Sequence, residues 1–252
     1  MEWLLLLSGA FLAGLIDAVV GGGGLVQLPL LLAVFPGVSI PMLFGTNKLS
    51  SIAGTASAAW QYSRKVKIPY RLALPASGAA LFGAASGAAV VSFIPSVALK
   101  PMVLGLLLIV GIYTWFKPEF GRSMTDRADL RKPRMLAAML GFGLGFYDGF
   151  FGPGTGSFLI FGFVRIFGMD MLHASASAKL VNLATNLAAL AFFLSHEGVL
   201  WQLGLAMACA NVLGAQLGSR LALRHGNGFI RWLLLTVVSM LIIKLCWDMF
   251  SH

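Results

Sequence analysis

Apolar blocks such as Leu72–Ile94, Met102–Phe116 and Phe229–Ile243 alternate along this chain with short basic clusters and glycine-rich breaks. A stretch of roughly 18 or more apolar residues is long enough to cross the hydrocarbon core of a bilayer. The pattern predicts helical pieces near 3–17, 24–35, 42–62, 71–93 and 99–116, and again near 135–148, 155–167, 173–194, 200–221 and 229–249. The first two pieces are awkward. Joined, Trp3–Phe35 would make a helix of about 50 Å, too long for one crossing. Apart, each is short for a full crossing, and Gly21–Gly24 breaks the middle. A re-entrant hairpin, which dips in and returns to its own side, fits these lengths better.

The ten pieces are two sets of five. A shift of 131 positions brings the halves into register without a gap. It places Gly14 on Gly145, Asp17 on Asp148, Gly21 on Gly152, Gly23 on Gly154 and Gly37 on Gly168. Lys48-Leu49 then falls on Lys179-Leu180, Ala53 on Ala184, Gly83-Ala84 on Gly214-Ala215 and Gly87 on Gly218. Chance pairs Leu with Leu readily in apolar sequence, but not two intramembrane Asp and two intramembrane Lys at one constant offset. Self-similarity of this kind sets the domain organisation. Residues 1–120 form a first repeat, 121–131 a polar cytoplasmic linker and 132–252 a second repeat.

Composition agrees with the apolar pattern. Of 252 residues, 58% are hydrophobic and 11% charged, against about 25% charged in an ordinary globular domain. The N-terminus has no basic residue before its first apolar run, so it reads as part of the mature protein rather than a signal peptide. The net charge of +9 reads as a topology signal rather than a nucleic-acid footprint. If each hairpin stays on one side, every repeat has three crossings and the second is inverted relative to the first. One face then receives Arg64, Lys65, Lys67, Arg71, Lys117, Arg122, Arg127, Arg131, Lys132, Arg134, Arg165, Arg220, Arg224 and Arg231, and the other Lys100 and Lys244. If the broken segment crosses once, five of these charges change sides. The positive-inside rule favours the first arrangement, with both termini periplasmic. The predicted fold is therefore an all-α polytopic membrane protein of two inverted-topology repeats. Each is a broken re-entrant hairpin followed by three transmembrane helices, an architecture used by transporters.

Non-helical backbone inside a bilayer has to be buried in protein or face water. Gly21, Gly22, Gly23 and Gly24, with Gly152, Pro153, Gly154, Thr155, Gly156 and Ser157, should thus line a cavity where the two tips meet. A short helix starts beyond each tip, and its free N–H groups and dipole attract an anion. The plainer reading is that the glycines only allow close helix packing. Lys48 and Lys179 sit inside apolar helices, where a charge needs a partner or a wet cavity. Lys48, Ser51 and Thr55 share one helical face, as do Lys179, Asn182 and Asn186, so Asn47, Lys48, Lys179, Asn182 and Asn186 are expected along the path. Asp17 and Asp148 admit two readings: proton carriers, or structural partners of the lysines and caps of the tips. Pairing is preferred, because a bare carboxylate would weaken an anion site. His173 and His196 have no ligand spacing, and Cys209 and Cys246 imply neither disulfide nor metal. No cofactor is expected.

The stretch Gly14-Leu15-Ile16-Asp17-Ala18-Val19-Val20-Gly21-Gly22-Gly23-Gly24-Leu25 resembles the TauE/SafE family of membrane proteins. So do Gly145-Phe146-Tyr147-Asp148-Gly149-Phe150-Phe151-Gly152-Pro153-Gly154-Thr155-Gly156-Ser157, Thr46-Asn47-Lys48-Leu49 and Ala176-Ser177-Ala178-Lys179-Leu180. The resemblance covers nearly the whole chain. It implies a bacterial inner-membrane transporter that exports a sulfur-containing anion such as sulfite, sulfoacetate or a related sulfonate. The residues alone support an anion-sized polar site, which would also suit carboxylates and phosphate. A passive anion channel or a carrier for a non-sulfur organic anion is the alternative. An enzyme is not expected: Ser157 has no histidine at membrane depth to activate it, and no H-E-x-x-H motif occurs. The expected partners are a small anion and the lipid bilayer, with homo-oligomerisation open and no nucleic acid.

Overall fold

A computed structural model describes residues 2–95, 97–99, 101–103, 105–106 and 133–250, with side chains described as far as Gly226. The expected helix near 99–116 lies largely outside the described residues. So do Lys100, Lys117, the linker 121–131 and the charges of 122–132. The side chains of Arg231, Lys244 and Cys246 are also outside them.

The described residues form helices: α1 (Glu2–Val20), α2 (Gly24–Val34), α3 (Ile40–Lys65), α4 (Tyr70–Ser92), α5 (Pro133–Phe150), α6 (Thr155–Phe167), α7 (Met171–His196) and α8 (Trp201–Phe250). Gly226 interrupts α8 with φ 68°, between the expected pieces 200–221 and 229–249. The ends of α3 and α7, each 26 residues long, correspond under the offset of 131. One length differs in consequence. The pattern predicts 3–17 for the first piece, whereas α1 has 19 residues, because Ala18, Val19 and Val20 continue the helix as far as the glycine run. By length and apolarity α1, α4 and α7 can each cross a membrane. A length too short to cross therefore describes α2, with 11 residues, and α6, with 13, but not α1.

The two most extensive helix contacts are α4 with α5 and α1 with α8. Both are built on glycine against backbone, which lets helices in lipid approach closely. Gly14 lies on the main chain of Asn211 and Gly145 on that of Ala80. Gly83 lies on Phe142 and Gly214 on Phe11, while Gly87 lies on Phe146 and Gly218 on Leu15. Every such pair becomes its companion when 131 is added to one number and subtracted from the other.

Buried apolar residues gather in two main clusters. One holds Tyr62, Val66, Ile68, Ala73, Ala137, Phe163, Ala222 and the N-terminal half of α7 from Met171 to Val181. The other joins Ile40 and Phe44 of α3 to Ala189 and Phe193 of α7. The N-terminal half of α3 thus packs near the C-terminal half of α7, and the reverse. The exposed basic residues Arg64, Lys65, Lys67, Arg71, Arg134, Arg165, Arg220 and Arg224 all lie within about a turn of the first cluster. Trp3, Trp60, Tyr70, Phe93 and Trp201 are exposed at or near helix ends, where aromatic side chains meet a membrane–water boundary. Leu12, Leu74, Phe82, Leu205 and Leu213 are exposed farther along the same helices.

Candidate functional site

The two glycine tips touch. After α1 the chain turns at Gly21, φ 77°, whose N–H donates to the Asp17 carbonyl at 2.8 Å. After α5 it turns at Gly152 and Gly154, φ 97° and 85°, a left-handed region that side-chain-bearing residues rarely occupy. The Ser157 N–H donates to the Gly21 carbonyl at 3.2 Å and its hydroxyl to the Val20 carbonyl at 2.7 Å. Gly21 and Gly156 are so close that a Cβ on either would overlap the other's main chain. The Thr155 hydroxyl donates to the Gly152 carbonyl at 2.7 Å, and the Tyr147 hydroxyl to the Pro153 carbonyl at 2.7 Å.

Each lysine reaches the aspartate of the other half. Lys48 Nζ of α3 donates to Asp148 Oδ2 of α5 at 2.6 Å, with both side chains almost fully buried. Lys179 Nζ of α7 donates to Asp17 Oδ2 of α1 at 3.1 Å and to the Asp17 main-chain carbonyl. The Thr55 hydroxyl donates to the same Asp17 Oδ2 at 3.3 Å. Burial explains the pairing, since an uncompensated charge here would cost several kcal/mol, on the order of the penalty for stripping one ion of water.

Between the tips lies a polar cavity of about 20 Å³, space for roughly one water molecule. Asp17, Gly21, Gly24, Asn47, Lys48, Ser51, Asp148, Gly152, Gly154, Gly156, Asn182 and Asn186 line it. Gly22, Gly23, Thr155, Ser157 and Lys179 are not on its wall. The two hydroxyl residues are spent on tying the tips, and Lys179 is buried behind Asp17. The wall has three amides, and Asn47 Oδ1 is a buried acceptor without a hydrogen-bond partner. Among the described residues no group of His, Cys, Asp and Glu is arranged to hold a metal. His173 stands in the first turn of α7, where its N–H and that of Leu172 are capped by Asp170 at 3.1 and 2.9 Å. His196 ends that helix, bonded through Nδ1 to the Phe192 carbonyl. Cys209 is exposed and free.

Buried Asn211 and Gln27 escaped the sequence reading. Asn211 Nδ2 donates to the Ala10 carbonyl and to Gln27 Oε1, both at 3.2 Å, tying α1, α2 and α8 together. The available signal was slight: each is the lone strongly polar residue within an apolar run, Leu25–Val34 or Gly204–Ala215. Tyr62, whose hydroxyl donates to the Ala18 carbonyl at 3.1 Å, carried no signal apart from its place on α3.

Crossing-length apolar helices, an exposed apolar surface with aromatic rims, and charges paired around a buried polar centre define a multi-pass membrane protein. The chain belongs to the sulfite exporter TauE/SafE family, which it matches over residues 6–245. It is 37% identical over 243 residues to "Probable membrane transporter protein ORF9" of Sinorhizobium sp, covering 96% of this chain and 92% of that one. It is 35% identical over 238 residues to "Probable membrane transporter protein" of Haemophilus influenzae, covering 94% and 92%. It is likewise 35% identical over 243 residues to "Probable membrane transporter protein YfcA" of Escherichia coli K12, covering 96% and 88%. No solved structure matches significantly. Family and relatives place the chain among membrane transporters, not enzymes.

Proposed function

We propose that this protein is a secondary transporter of the bacterial inner membrane. It exports a small sulfur-containing anion, sulfite, sulfoacetate or a related sulfonate, by alternating access around a site between the two tips. The observation that carries this reading is the crossed pair of Lys–Asp contacts beside a polar cavity walled by amides and glycine backbone. Lysine ammonium, amide N–H and glycine N–H groups are what sulfonate or sulfite oxygens accept from. The family's description as sulfite exporters supports the choice of sulfur.

In this reading residues 1–120 and 132–252 are repeats of opposite orientation joined by a cytoplasmic linker at 121–131. Three observations support it: the reciprocal glycine contacts, the head-to-tail relation of α3 and α7, and the basic residues gathered around one apolar cluster. Each repeat is a broken hairpin followed by three crossings. The hairpin tips stay near the midplane if α1 enters at a tilt, with Glu2 and Trp3 in the headgroup layer. Both termini are then periplasmic. The anion path comprises the cavity wall together with Gly22, Gly23, Thr155, Ser157 and Lys179, which shape the tips behind it.

The size of the cavity favours a carrier over a channel. A space of about 20 Å³ is smaller than a sulfonate, and in this reading the halves move apart to admit one at each turnover. Concentration jumps of sulfite, sulfoacetate, sulfate, acetate and chloride on protein in proteoliposomes test the reading. A saturable response confined to sulfur oxyanions is expected. An unsaturable flux that includes chloride would replace the carrier with a channel.

A further inference from the structure

The two ion pairs occupy corresponding positions but are built differently. We propose that Lys48–Asp148 opens and recloses once per transport cycle, Asp148 taking up a proton as Lys48 passes to the anion, while Lys179–Asp17 stays closed as a latch on the first tip. This rests on the transport reading above and assigns its coupling.

Lys48 and Asp148 both stand on the cavity wall. Among the described residues the hydrogen-bond partner of Lys48 Nζ is one carboxylate oxygen, at 2.6 Å. Gly152 leaves the space beside that ammonium open: a Cβ there would sit 3.3 Å from Nζ. Lys179 is off the wall, with no side-chain exposure beyond 1%. It is held by the Asp17 main-chain carbonyl as well as by Oδ2, which also accepts from Thr55. The same carbonyl accepts the Gly21 N–H that forms the tip, so this ammonium is seated on the turn itself. Asn186, which corresponds to Thr55, faces the cavity instead.

Charge balance supplies the proton. Two ammonium and two carboxylate groups cancel, so an anion entering the closed site would add an uncompensated charge in a poorly solvated place. Protonating Asp148 removes one unit of that charge, all of it for a monovalent sulfonate and half of it for a divalent one such as sulfoacetate. On the loading side, a proton from water adds to an Asp148 carboxylate oxygen, and a Lys48 N–H moves its hydrogen bond to an oxygen of the anion. No covalent bond to the anion forms. On the other side the anion leaves, Lys48 returns, and Asp148 gives its proton to water. One proton accompanies each anion, and the cycle runs outward when internal anion outweighs the opposing proton gradient. The other groups around Asp148 are Tyr147 of its own helix and, across the cavity, Asp17 of α1 with its partner Lys179 of α7. The charged side chains of α4 and α6, Arg71 and Arg165, stand near the far ends of those helices.

The test follows labelled sulfoacetate and an internal pH dye in proteoliposomes clamped at zero potential. Wild type is expected to bring in one proton per sulfoacetate and to accumulate it when the outside is acid. Asp148→Asn is expected to exchange internal for external sulfoacetate at a reduced rate, with no proton entry and at least a 10-fold loss of acid-driven accumulation. Asp17→Asn is expected to keep the one-to-one ratio in whatever uptake remains. Net uptake by wild type into vesicles free of sulfoacetate, without proton entry, would overturn the proposal alone, and the wild-type ratio decides this even if Asp148→Asn does not fold. Proton entry kept by Asp148→Asn, or lost only in Asp17→Asn, would overturn it as well. No sulfoacetate exchange by wild type would overturn the transport reading and this proposal with it.

Discussion

The pairing of each buried lysine with the aspartate of the opposite half is a matter of single residues, and it makes each side chain necessary twice, for folding and for charge. Removing one member of a buried pair strands the other, at a cost of about 3–5 kcal/mol. Lys48→Ala is therefore expected to lower the melting temperature in detergent, and Lys48→Ala with Asp148→Ala to recover part of the loss. Transport should remain absent in both. An additive loss in the double variant would show that the 2.6 Å contact carries no coupling energy. At Gly154, φ 85°, a side chain forces a strained backbone, and Gly154→Ala should cost on the order of 1–3 kcal/mol in chemical denaturation. The sequence revealed the two Lys and two Asp because charge in apolar helices stands out, and the repeat tied them together. It did not reveal that Thr155 and Ser157 serve the tips rather than the cavity. A hydroxyl in a glycine turn bonds to a neighbouring carbonyl as readily as to a ligand, and only the approach of the second tip decides between them.

The helices follow from the glycines as much as from the apolar runs. α1 on α8 and α4 on α5 meet where a Cβ would strike the partner's carbonyl, so the contact tolerates no growth. Gly214→Leu or Gly83→Leu is expected to push these helices apart and to reduce the yield of monodisperse protein several-fold. Gly78→Ala, exposed and facing open space, should be neutral or gain up to about 1 kcal/mol. Equal losses at Gly78 and Gly214 would show that helix propensity, not approach, explains the glycines. Boundaries of α2, α6 and α7 were legible within two residues, because glycine, proline or an N-cap aspartate marks them. The end of α1 was not: Ala18, Val19 and Val20 suit a helix or a turn equally, and the contacts beyond Asp17 carry it on to Val20. The kink at Gly226 was expected only as a gap between two helices.

At the scale of the whole molecule, the charge distribution supports one of the two orientations that the apolar pattern leaves open. Among the described residues the eight exposed Lys and Arg side chains flank one cluster, the placement expected of inverted repeats under the positive-inside rule. A cysteine at position 65 should be labelled from the cytoplasmic side and one at position 3 from the periplasmic side. Labelling of position 65 from the periplasm would refute the orientation. The repeat made the proposed arrangement an expectation of the sequence, whereas the narrowness of the cavity was not one, since no sequence feature reports how tightly two tips meet. The most direct test of the central claim uses Ser51→Cys on the cavity wall in an otherwise cysteine-free protein, with membrane-impermeant thiol reagents applied to right-side-out and inside-out vesicles. The account predicts labelling from both sides, each slowed several-fold by sulfoacetate and not by chloride. Labelling from one side only, or labelling indifferent to sulfoacetate, would contradict an anion site between the tips that opens alternately to each face.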